Sequence, residues 1–484
     1  MSTTEASSTN SALRPRKAPR DSRPDSDRLT EVIADELAEV FARQRAAFER
    51  HQAPTLTERR ATLLKLQRLV EQNRLIFIEA ANSDFGTRAS LETEVSEVVG
   101  TIRMIRHLRR HLGSWMAPRR RHMPVWDRPA KNRIEPQPLG VVGVIVPWNF
   151  PLHLALIPAA TAIAAGNRVM IKTSEATAYT SSVLKRVIDE NFSSDLLYVT
   201  GHNEHTSSFA DLPFDRLLDH RSTVSRTAAS SPVIVDEDYS IDEAAREIAR
   251  AKLLNAGQAA VSPAYVLVPS GREKEFAVAA RHAARSLYPR AAGNPHYTAV
   301  LNEFHYNRLQ AHIADAKARG AEVITAEDPA LGIERHQMPL TLVLNPPDEA
   351  TVVQEEIFGP ILPVIGYESE HAAVQFVNGR ATPLALYVLA NARTQQQKWL
   401  RKIPSGSAVV NDPLIGYLQS DLPFGPAGGS GSGAYHGREG FDAMSHLRPV
   451  SYQRAIVGDR AQRLMLAPPY DTAAELILKI LRRI

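Results

Sequence analysis

Residues 139–146 read LGVVGVIV, a run in which apolar and polar positions do not alternate. Such a run is typical of a strand that is buried on both faces of a parallel sheet. The turn PWNFP follows at 147–151, then a predicted helix of small residues at 154–165 and a second predicted strand at 169–172. The order strand, helix, strand predicts a β-α-β unit and therefore an α/β fold.

The same rhythm continues after this unit and then stops. A helix is predicted at 177–191 and a strand at 196–200, so a nucleotide-binding sheet is the natural hypothesis, although β-α-β order alone does not identify a ligand. Residues 213–218 begin like a strand, and 219–231 then have no period and no glycine. The apolar run at 232–235 follows at once, which leaves no room for the expected helix and strand.

The segments before the sheet are predicted to be helical. Apolar residues recur with a helical period at 31–50, after Thr57, and at 90–115, and Thr57 is the predicted N-cap of the second helix.

Between 103 and 133 there are ten Arg or Lys and one Asp. An anionic partner and a solvated helix face with an exposed hairpin both explain this charge. The lack of an aromatic or glycine pattern favours the second interpretation, so we expect no nucleic-acid partner.

Composition bounds the chemistry. The 484 residues suit two or three domains, and a net charge of +4 is mild over this length. The chain has no cysteine, which excludes disulfides, thiolate metal sites and a cysteine nucleophile. Residues 1–28 are polar, without a secretory signal, and are predicted to be a disordered tail. No apolar run approaches the roughly 20 residues that span a bilayer. We expect no metal and a cytoplasmic location.

Residues 255–263 read NAGQAAVSP and join an amphipathic helix at 241–254 to a strand at 265–269. A loop between two rigid elements is a common place for a reacting side chain. Ala259 and Ala260 leave space for a ligand near the backbone, yet the loop carries no strong nucleophile. The missing nucleophile is therefore the main question about function.

Six motifs in this order resemble the aldehyde dehydrogenase superfamily, and most closely its coniferyl aldehyde dehydrogenase-like branch. They are PWNFP (147–151), IKTSE (171–175), NAGQ (255–258), EIFGP (356–360), DLPFG (421–425) and GAYHG (433–437), with DFG at 84–86 as a further match. The resemblance covers the chain from about residue 30 to its end. It implies an α/β fold with a Rossmann-type cofactor domain, an α/β catalytic domain and a small bridging or oligomerisation hairpin.

The resemblance also implies a division of the chain. The disordered tail is 1–28, and the N-terminal helices with the NAD(P)-binding domain are 29–252. That domain includes a bridging hairpin at about 118–138 and a truncation near 219–231. The catalytic-type domain is 253–425. A C-terminal return segment covers 426–484 and ends in an amphipathic helix at 473–484, which is more typical of a dimer contact or an intrachain cover than of a membrane contact.

Family roles carry over to individual positions. Asn149 would stabilise a developing oxyanion together with the backbone N–H of Ala260. Lys172, with Glu175 beside it, would hold the adenine-side ribose of NAD or NADP. Glu356 would hold the nicotinamide-side ribose, Phe358 would pack near the nicotinamide, and Trp148 would also contact the cofactor. The resemblance implies a small aldehyde ligand and a homodimer.

Three departures from the family pattern point to lost activity. Ala260 stands where the family has its nucleophilic cysteine, and Ser262 lacks the activation that a hydroxyl needs. The helix and strand that carry the general base are missing before Ser231. The sequence DHRS at 219–222 replaces a glycine-containing turn near the dinucleotide. The leading hypothesis is a catalytically inactive family member. The alternatives are a weakly active dehydrogenase and a non-catalytic binding or scaffolding protein.

Overall fold

The computed structural model describes residues 25–123, 130–201, 206–219, 231–428 and 433–452, together with the single positions 468, 472, 475, 476 and 479. The α-helices are α1 (Asp25–Arg50), α2 (Leu56–Gln72), α3 (Arg74–Phe85), α4 (Ser90–Thr93), α5 (Gly100–Met116), α6 (His153–Ala165), α7 (Ala178–Asn191), α8 (Thr206–Ala210), α9 (Ile241–Leu253), α10 (Glu273–Leu287), α11 (Glu303–Ala318), α12 (Thr351–Gln354), α13 (Glu370–Asn378), α14 (Arg393–Lys402) and α15 (Gly437–Ala443). A π-helical segment, Glu94–Val99, joins α4 to α5.

The strands form three sheets. They are β1 (Arg119–Arg121), β2 (Lys131–Pro138), β3 (Val141–Ile145), β4 (Arg168–Lys172), β5 (Leu197–Val199), β6 (Arg216–Asp219), β7 (Val233–Val235), β8 (Val266–Pro269), β9 (Glu322–Thr325), β10 (Thr341–Leu344), β11 (Ile361–Tyr367), β12 (Ala385–Leu389), β13 (Ser407–Val410) and β14 (Ser445–Tyr452).

The first sheet is parallel, with the strand order β5-β4-β3-β6. All five residues of β3 are buried, which confirms the prediction made from the apolar run at 139–146. Helix α6 connects β3 to β4, and the predicted β-α-β unit is present. Strand β6 lies at the edge and most of its side chains are exposed. The segment 220–230 lies outside the described residues, as do the predicted truncation and most of the altered turn at 219–222.

The second sheet has seven strands in the order β13-β12-β7-β8-β11-β10-β9, all parallel except β9. Strand β7 belongs to this sheet, and α9 packs with it in the same apolar core. A domain boundary at 252–253, as predicted from the sequence, would separate β7 and α9 from their sheet. We therefore propose a boundary between Asp219 and Val233.

The third sheet is antiparallel, with the order β1-β2-β14. Strands β1 and β2 match the predicted hairpin at about 118–138, of which 124–129 lie outside the described residues. Strand β14 comes from the predicted return segment and was not expected as its third strand. A double hydrogen bond from Arg119 to Asp442, at 2.8 and 2.9 Å, fixes the hairpin against α15.

Two details at the N-terminus differ from the sequence interpretation. Helix α1 begins at Asp25, so the last four residues of the predicted tail are helical, while 1–24 lie outside the described residues. The predicted N-cap Thr57 is wrong. Thr55 caps α2, because its side chain accepts from the backbone N–H of Glu58 while the Glu58 carboxylate accepts from the backbone N–H of Thr55.

Some of the remaining predictions concern segments that lie only partly within the described residues. The C-terminal helix at 473–484 lies mostly outside the described residues. The basic stretch follows the solvated-face interpretation as far as it is described, because α5 buries Met104, Ile105, Leu108 and Leu112 and leaves several arginines towards solvent. No helix in the described ranges is long and apolar enough to cross a membrane.

Candidate active site

Trp148, Asn149 and Lys172 lie at the carboxyl ends of two neighbouring strands of the first sheet, whereas Ala260, Glu356 and Phe358 lie on loops that precede β8 and β11 of the second sheet. The turn with Trp148 and Asn149 follows β3, and Lys172 is the last residue of β4. Since β3 and β4 are parallel neighbours, their carboxyl ends share one edge of the first sheet, the edge at which open α/β sheets bind ligands.

Asn149 is tied to the central loop. Its backbone carbonyl accepts a hydrogen bond from Asn255 Nδ2 at 3.2 Å. The Asn149 side chain is buried, and its Oδ1 has no hydrogen-bond partner within the described ranges. The structure therefore brings together the proposed oxyanion residue and the loop that would carry a nucleophile.

The backbone of the central loop is strained. Asn255, Ala256 and Gly257 have φ values of 49°, 50° and 73°, in the left-handed region that residues other than glycine rarely adopt. The Gln258 side chain fixes the loop by donating to the carbonyl of Ala299 at 3.0 Å and accepting from the N–H of Leu301 at 2.9 Å. Strain that is held by buried hydrogen bonds is common at functional sites.

Gly257 also joins this loop to the one that contains Glu356. A Cβ added to Gly257 would lie 2.4 Å from the carbonyl oxygen of Gly359, so only glycine allows the two backbones to approach. The nucleophile loop and the predicted cofactor loop are therefore in direct backbone contact.

Position 260 presents a methyl group. The Ala260 carbonyl accepts a hydrogen bond from Ser231 Oγ at 2.9 Å, and the methyl side chain has no atom that could act as a nucleophile. Ser262 Oγ is buried, and in the described part of the chain it has no hydrogen-bond partner and hence no adjacent base. An unactivated serine hydroxyl is a weak nucleophile.

The Lys172 amine is buried at the end of β4. Its Nζ donates to the carbonyl of Thr173 at 2.7 Å and to Glu175 Oε1 at 3.2 Å. An ammonium has three N–H donors, so among the described residues, which do not include 202–205 and 220–230, one donor is left for a ligand. The Glu175 carboxylate is largely exposed beside it. One spare donor next to a solvent-facing acceptor fits the hydroxyl groups of a ribose.

Aromatic rings connect the two loops. The Trp148 ring lies 5.2 Å from the Phe358 ring, edge to face, and 4.9 Å from the His305 ring. Phe358 has a left-handed φ of 49°. The structure thus places Trp148 and Phe358 together, and Glu356 lies two residues before Phe358 on the same turn.

The model of the aldehyde dehydrogenase family matches residues 25–210 and 220–450. The chain belongs to the aldehyde dehydrogenase family. A probable coniferyl aldehyde dehydrogenase from Pseudomonas aeruginosa is 40% identical over 468 residues, covering 93% of this chain and 97% of that relative. The coniferyl aldehyde dehydrogenase of a Pseudomonas species is 35% identical over 473 residues, which cover 93% of this chain and 97% of that relative.

Solved structures agree with this assignment. A substrate-bound AldH from Staphylococcus aureus superimposes with a TM-score of 0.82 at 28% identity, covering 92% of this chain and 99% of that one. A P. syringae indole-3-acetaldehyde dehydrogenase in complex with NAD⁺ and IAA has a TM-score of 0.75 at 21% identity, covering 87% and 89%, and supports the fold alone. The predicted aldehyde-dehydrogenase-like α/β fold is confirmed.

Sequence reasoning missed two buried features of this aldehyde dehydrogenase family site, a lysine and an ion-pair network. Lys252, in the last turn of α9, is 1% exposed and its Nζ donates to the carbonyl of Pro263 at 2.8 Å. Burial lowers the pKa of Lys252 to about 7, and Glu356 opposes the shift. Lys252 lies four residues after the buried Ile248, on the apolar stripe of α9, and this position is the sequence feature that could have indicated its burial.

The second missed group is an ion-pair network behind the site. Arg88 and Glu97 are buried, with Nη1 and Oε1 2.7 Å apart. Glu97 Oε2 accepts from the backbone N–H of Leu152 at 2.7 Å, just beyond the turn with Asn149. Glu92 Oε1 accepts from the backbone N–H of Asn255 at 3.2 Å. Burial raises the pKa of both glutamates, and Arg88 opposes that shift. The network supports both loops from one side.

Proposed function

We propose that this aldehyde dehydrogenase family protein binds NAD or NADP but does not oxidise aldehydes to carboxylic acids by the covalent route. Ala260 carries the proposal. The family reaction needs a thiolate that adds to the aldehyde carbon, and NAD(P), when bound, accepts the hydride that the resulting thiohemiacetal releases. A methyl group cannot form that bond, and the chain has no cysteine at any other position.

The segment after β6 supports the same proposal. The family's general base, which activates water to release the acid, resides on a helix and a strand, and the residues between β6 and β7 are too few to match both. A chain without the nucleophile and without that base lacks both halves of the covalent cycle. In this proposal the chain has kept the family fold and has lost the covalent reaction.

Cofactor and ligand classes follow from the relatives and from the site. Solved neighbours of the fold are named as complexes with NAD⁺. In this chain Lys172 with Glu175 would hold one ribose, while Glu356, Trp148 and Phe358 would surround the nicotinamide side. The names of the curated relatives favour an aromatic, coniferyl-type aldehyde as the ligand. We further propose a cytoplasmic homodimer, with the hairpin of β1 and β2 as part of the assembly surface, since the resemblance assigns this hairpin to bridging or oligomerisation.

Calorimetric titration tests the cofactor proposal. We expect NAD or NADP to bind the wild-type protein and Lys172→Met to weaken binding about tenfold, the loss of roughly one charge-assisted hydrogen bond. Lys185→Met is the matched control, because Lys185 forms an exposed ion pair with Asp189 at 3.0 Å on α7 of the same domain. Absence of binding by folded wild-type protein, or equal loss in both variants, contradicts the proposed site.

A weakly active dehydrogenase is the second candidate, favoured by the buried amide of Asn149 beside the loop. An aldehyde hydrate would lose a hydride to the nicotinamide and a proton to solvent, which yields the acid without a covalent step. In that case Asn149→Ala should lower kcat by roughly 10²–10³, the effect of losing one oxyanion donor. Any measured NADH formation that Asn149→Ala leaves unchanged excludes this candidate and indicates a contaminating enzyme.

A further inference from the structure

The first two turns of α11 contact three parts of the candidate site. The His305 ring lies 4.9 Å from the Trp148 ring, at an angle of 40°. Arg308 reaches the turn that contains Glu356, and Leu309 fills the space beside Gly359, where an added Cβ would lie 2.5 Å from the Leu309 side chain. None of these α11 residues was predicted to have a role at the site.

The Arg308 guanidinium donates to two successive backbone carbonyls. Nη1 donates to the oxygen of Glu356 at 3.1 Å, and Nη2 donates to the oxygen of Ile357 at 2.6 Å. The side chain is partly buried, and burial lowers the pKa of Arg308 while Glu356 and Glu355 oppose that shift. A planar fork of N–H donors can hold two peptide planes in a fixed relation, which a single point charge cannot do.

The two carbonyls lie at the place where the turn needs support. The next residue, Phe358, has a left-handed φ of 49°, which costs free energy for a residue other than glycine. Leu309 closes the turn on one side, and the backbone of Gly257 closes it on another. With both preceding carbonyls held by Arg308, the strained conformation brings the Phe358 ring to Trp148.

We propose that Arg308 is a positioning residue that holds the turn 356–359 and thereby orients Glu356 and Phe358 towards the bound dinucleotide. The inference rests on the proposed function in that it takes this turn to be part of a dinucleotide site. Arg308 itself contacts backbone oxygens of the turn and acts on the ligand only through the conformation that it fixes.

The test uses the full chain labelled with 5-fluorotryptophan and two readouts. One is the ¹⁹F resonance of Trp148, assigned with Trp148→Phe, and the other is NAD affinity by calorimetry. In Arg308→Met we expect the Trp148 resonance to shift or broaden while that of Trp399 stays in place, and NAD affinity to fall about tenfold. Arg308→Lys should restore part of both, since an ammonium can donate to a carbonyl without the planar fork.

Arg380→Met is the matched control. Arg380 likewise donates to a backbone carbonyl, that of Phe376 at 2.7 Å, and pairs with Asp348, and neither partner is a candidate site residue. The control should leave the Trp148 resonance and NAD affinity unchanged, even where it lowers thermal stability as much as Arg308→Met does.

The outcomes separate the two proposals. An unchanged Trp148 resonance in both Arg308 variants, or the same change in Arg380→Met, overturns the role of Arg308. Failure of wild-type protein to bind NAD or NADP refutes the cofactor proposal. Even then, a change in the Trp148 resonance that is specific to the Arg308 variants supports the proposal that Arg308 holds the turn 356–359. If Arg308→Met does not fold, Arg308→Lys decides by the same two measurements.

Discussion

Replacing Ala260 by cysteine is expected to produce a single burst of NADH, at most one equivalent per chain, followed by little or no turnover. The new sulfur would sit in the loop that Asn255 and Gln258 hold in place, beside the Asn149 turn. It can add to the aldehyde carbon, and release of hydride then leaves an acyl group on the sulfur. Removing a nucleophile costs on the order of 10⁶ in rate in a serine hydrolase, so restoring one should have the largest effect of any single substitution.

The burst should stop because hydrolysis of the thioester needs an activated water. The measurement is stopped-flow absorbance of NADH after mixing the variant with NAD and coniferyl aldehyde. Mass spectrometry of the intact protein should then show an acyl adduct in stoichiometric yield. The adduct should persist for many minutes and disappear when hydroxylamine is added.

Ala260→Ser is the matched control, with the same side-chain length and no thiolate. We expect neither burst nor adduct from it, as from the wild-type protein. Sustained turnover by Ala260→Cys would contradict the proposed loss of the general base, and covalent turnover by the wild-type chain would contradict the proposed function itself. A folded cysteine variant that binds NAD but gives no burst would mean that Asn149 and the loop no longer assemble around an aldehyde.

Local sequence patterns predicted what local physics determines. The apolar run at 139–146 became the buried strand β3, because a strand covered on both faces needs consecutive apolar residues and the run is too short for a buried helix such as α6. The capping residue of α2 was misplaced by two positions, since Thr55 and Thr57 are equally good candidates and the reciprocal bonds with Glu58 decide between them.

Sheet membership could not be predicted in the same way. Residues 233–235 form a buried apolar strand that suits either sheet, and only pairing with β8 and β12 shows that β7 belongs to the second one. The site shows the same division. Ala260 and the motif residues were visible one by one. Arg308 reaches a carbonyl 49 residues away and Arg88 reaches a carboxylate 9 residues away, and no local pattern marks either partner.

Arg88→Met is expected to destabilise the protein by about 3–5 kcal/mol, the usual cost of leaving one member of a buried ion pair without its partner. Arg88 is fully buried, and its guanidinium lies 4.8 Å from the centre of the Phe85 ring and 5.3 Å from that of Phe150. Methionine keeps much of this packing, so the loss reports mainly on the charge that Glu97 would retain. Urea unfolding followed by circular dichroism measures the difference.

Two variants isolate the cause. Arg74→Met breaks an exposed pair with Glu94 at 3.2 Å and should cost less than about 1 kcal/mol. Combining Arg88→Met with Glu97→Gln should recover much of the stability, since glutamine removes the buried charge and can still accept from the backbone N–H of Leu152. No recovery in the double variant would mean that the loss comes from packing against the two phenylalanine rings.

The pH dependence of Arg88→Met gives a further check with a definite sign. Burial already raises the pKa of Glu97 above its ordinary value, and Arg88 opposes this shift, so removing Arg88 should raise the pKa further. A folded-state pKa above the unfolded one means that the folded protein binds more protons, and its stability then falls as pH rises from the ordinary glutamate pKa towards the raised one. Arg88→Met should therefore be less destabilised at low pH, near 5, than near 8. Equal destabilisation at both pH values would show that the loss does not come from an unpaired carboxylate at Glu97 or Glu92.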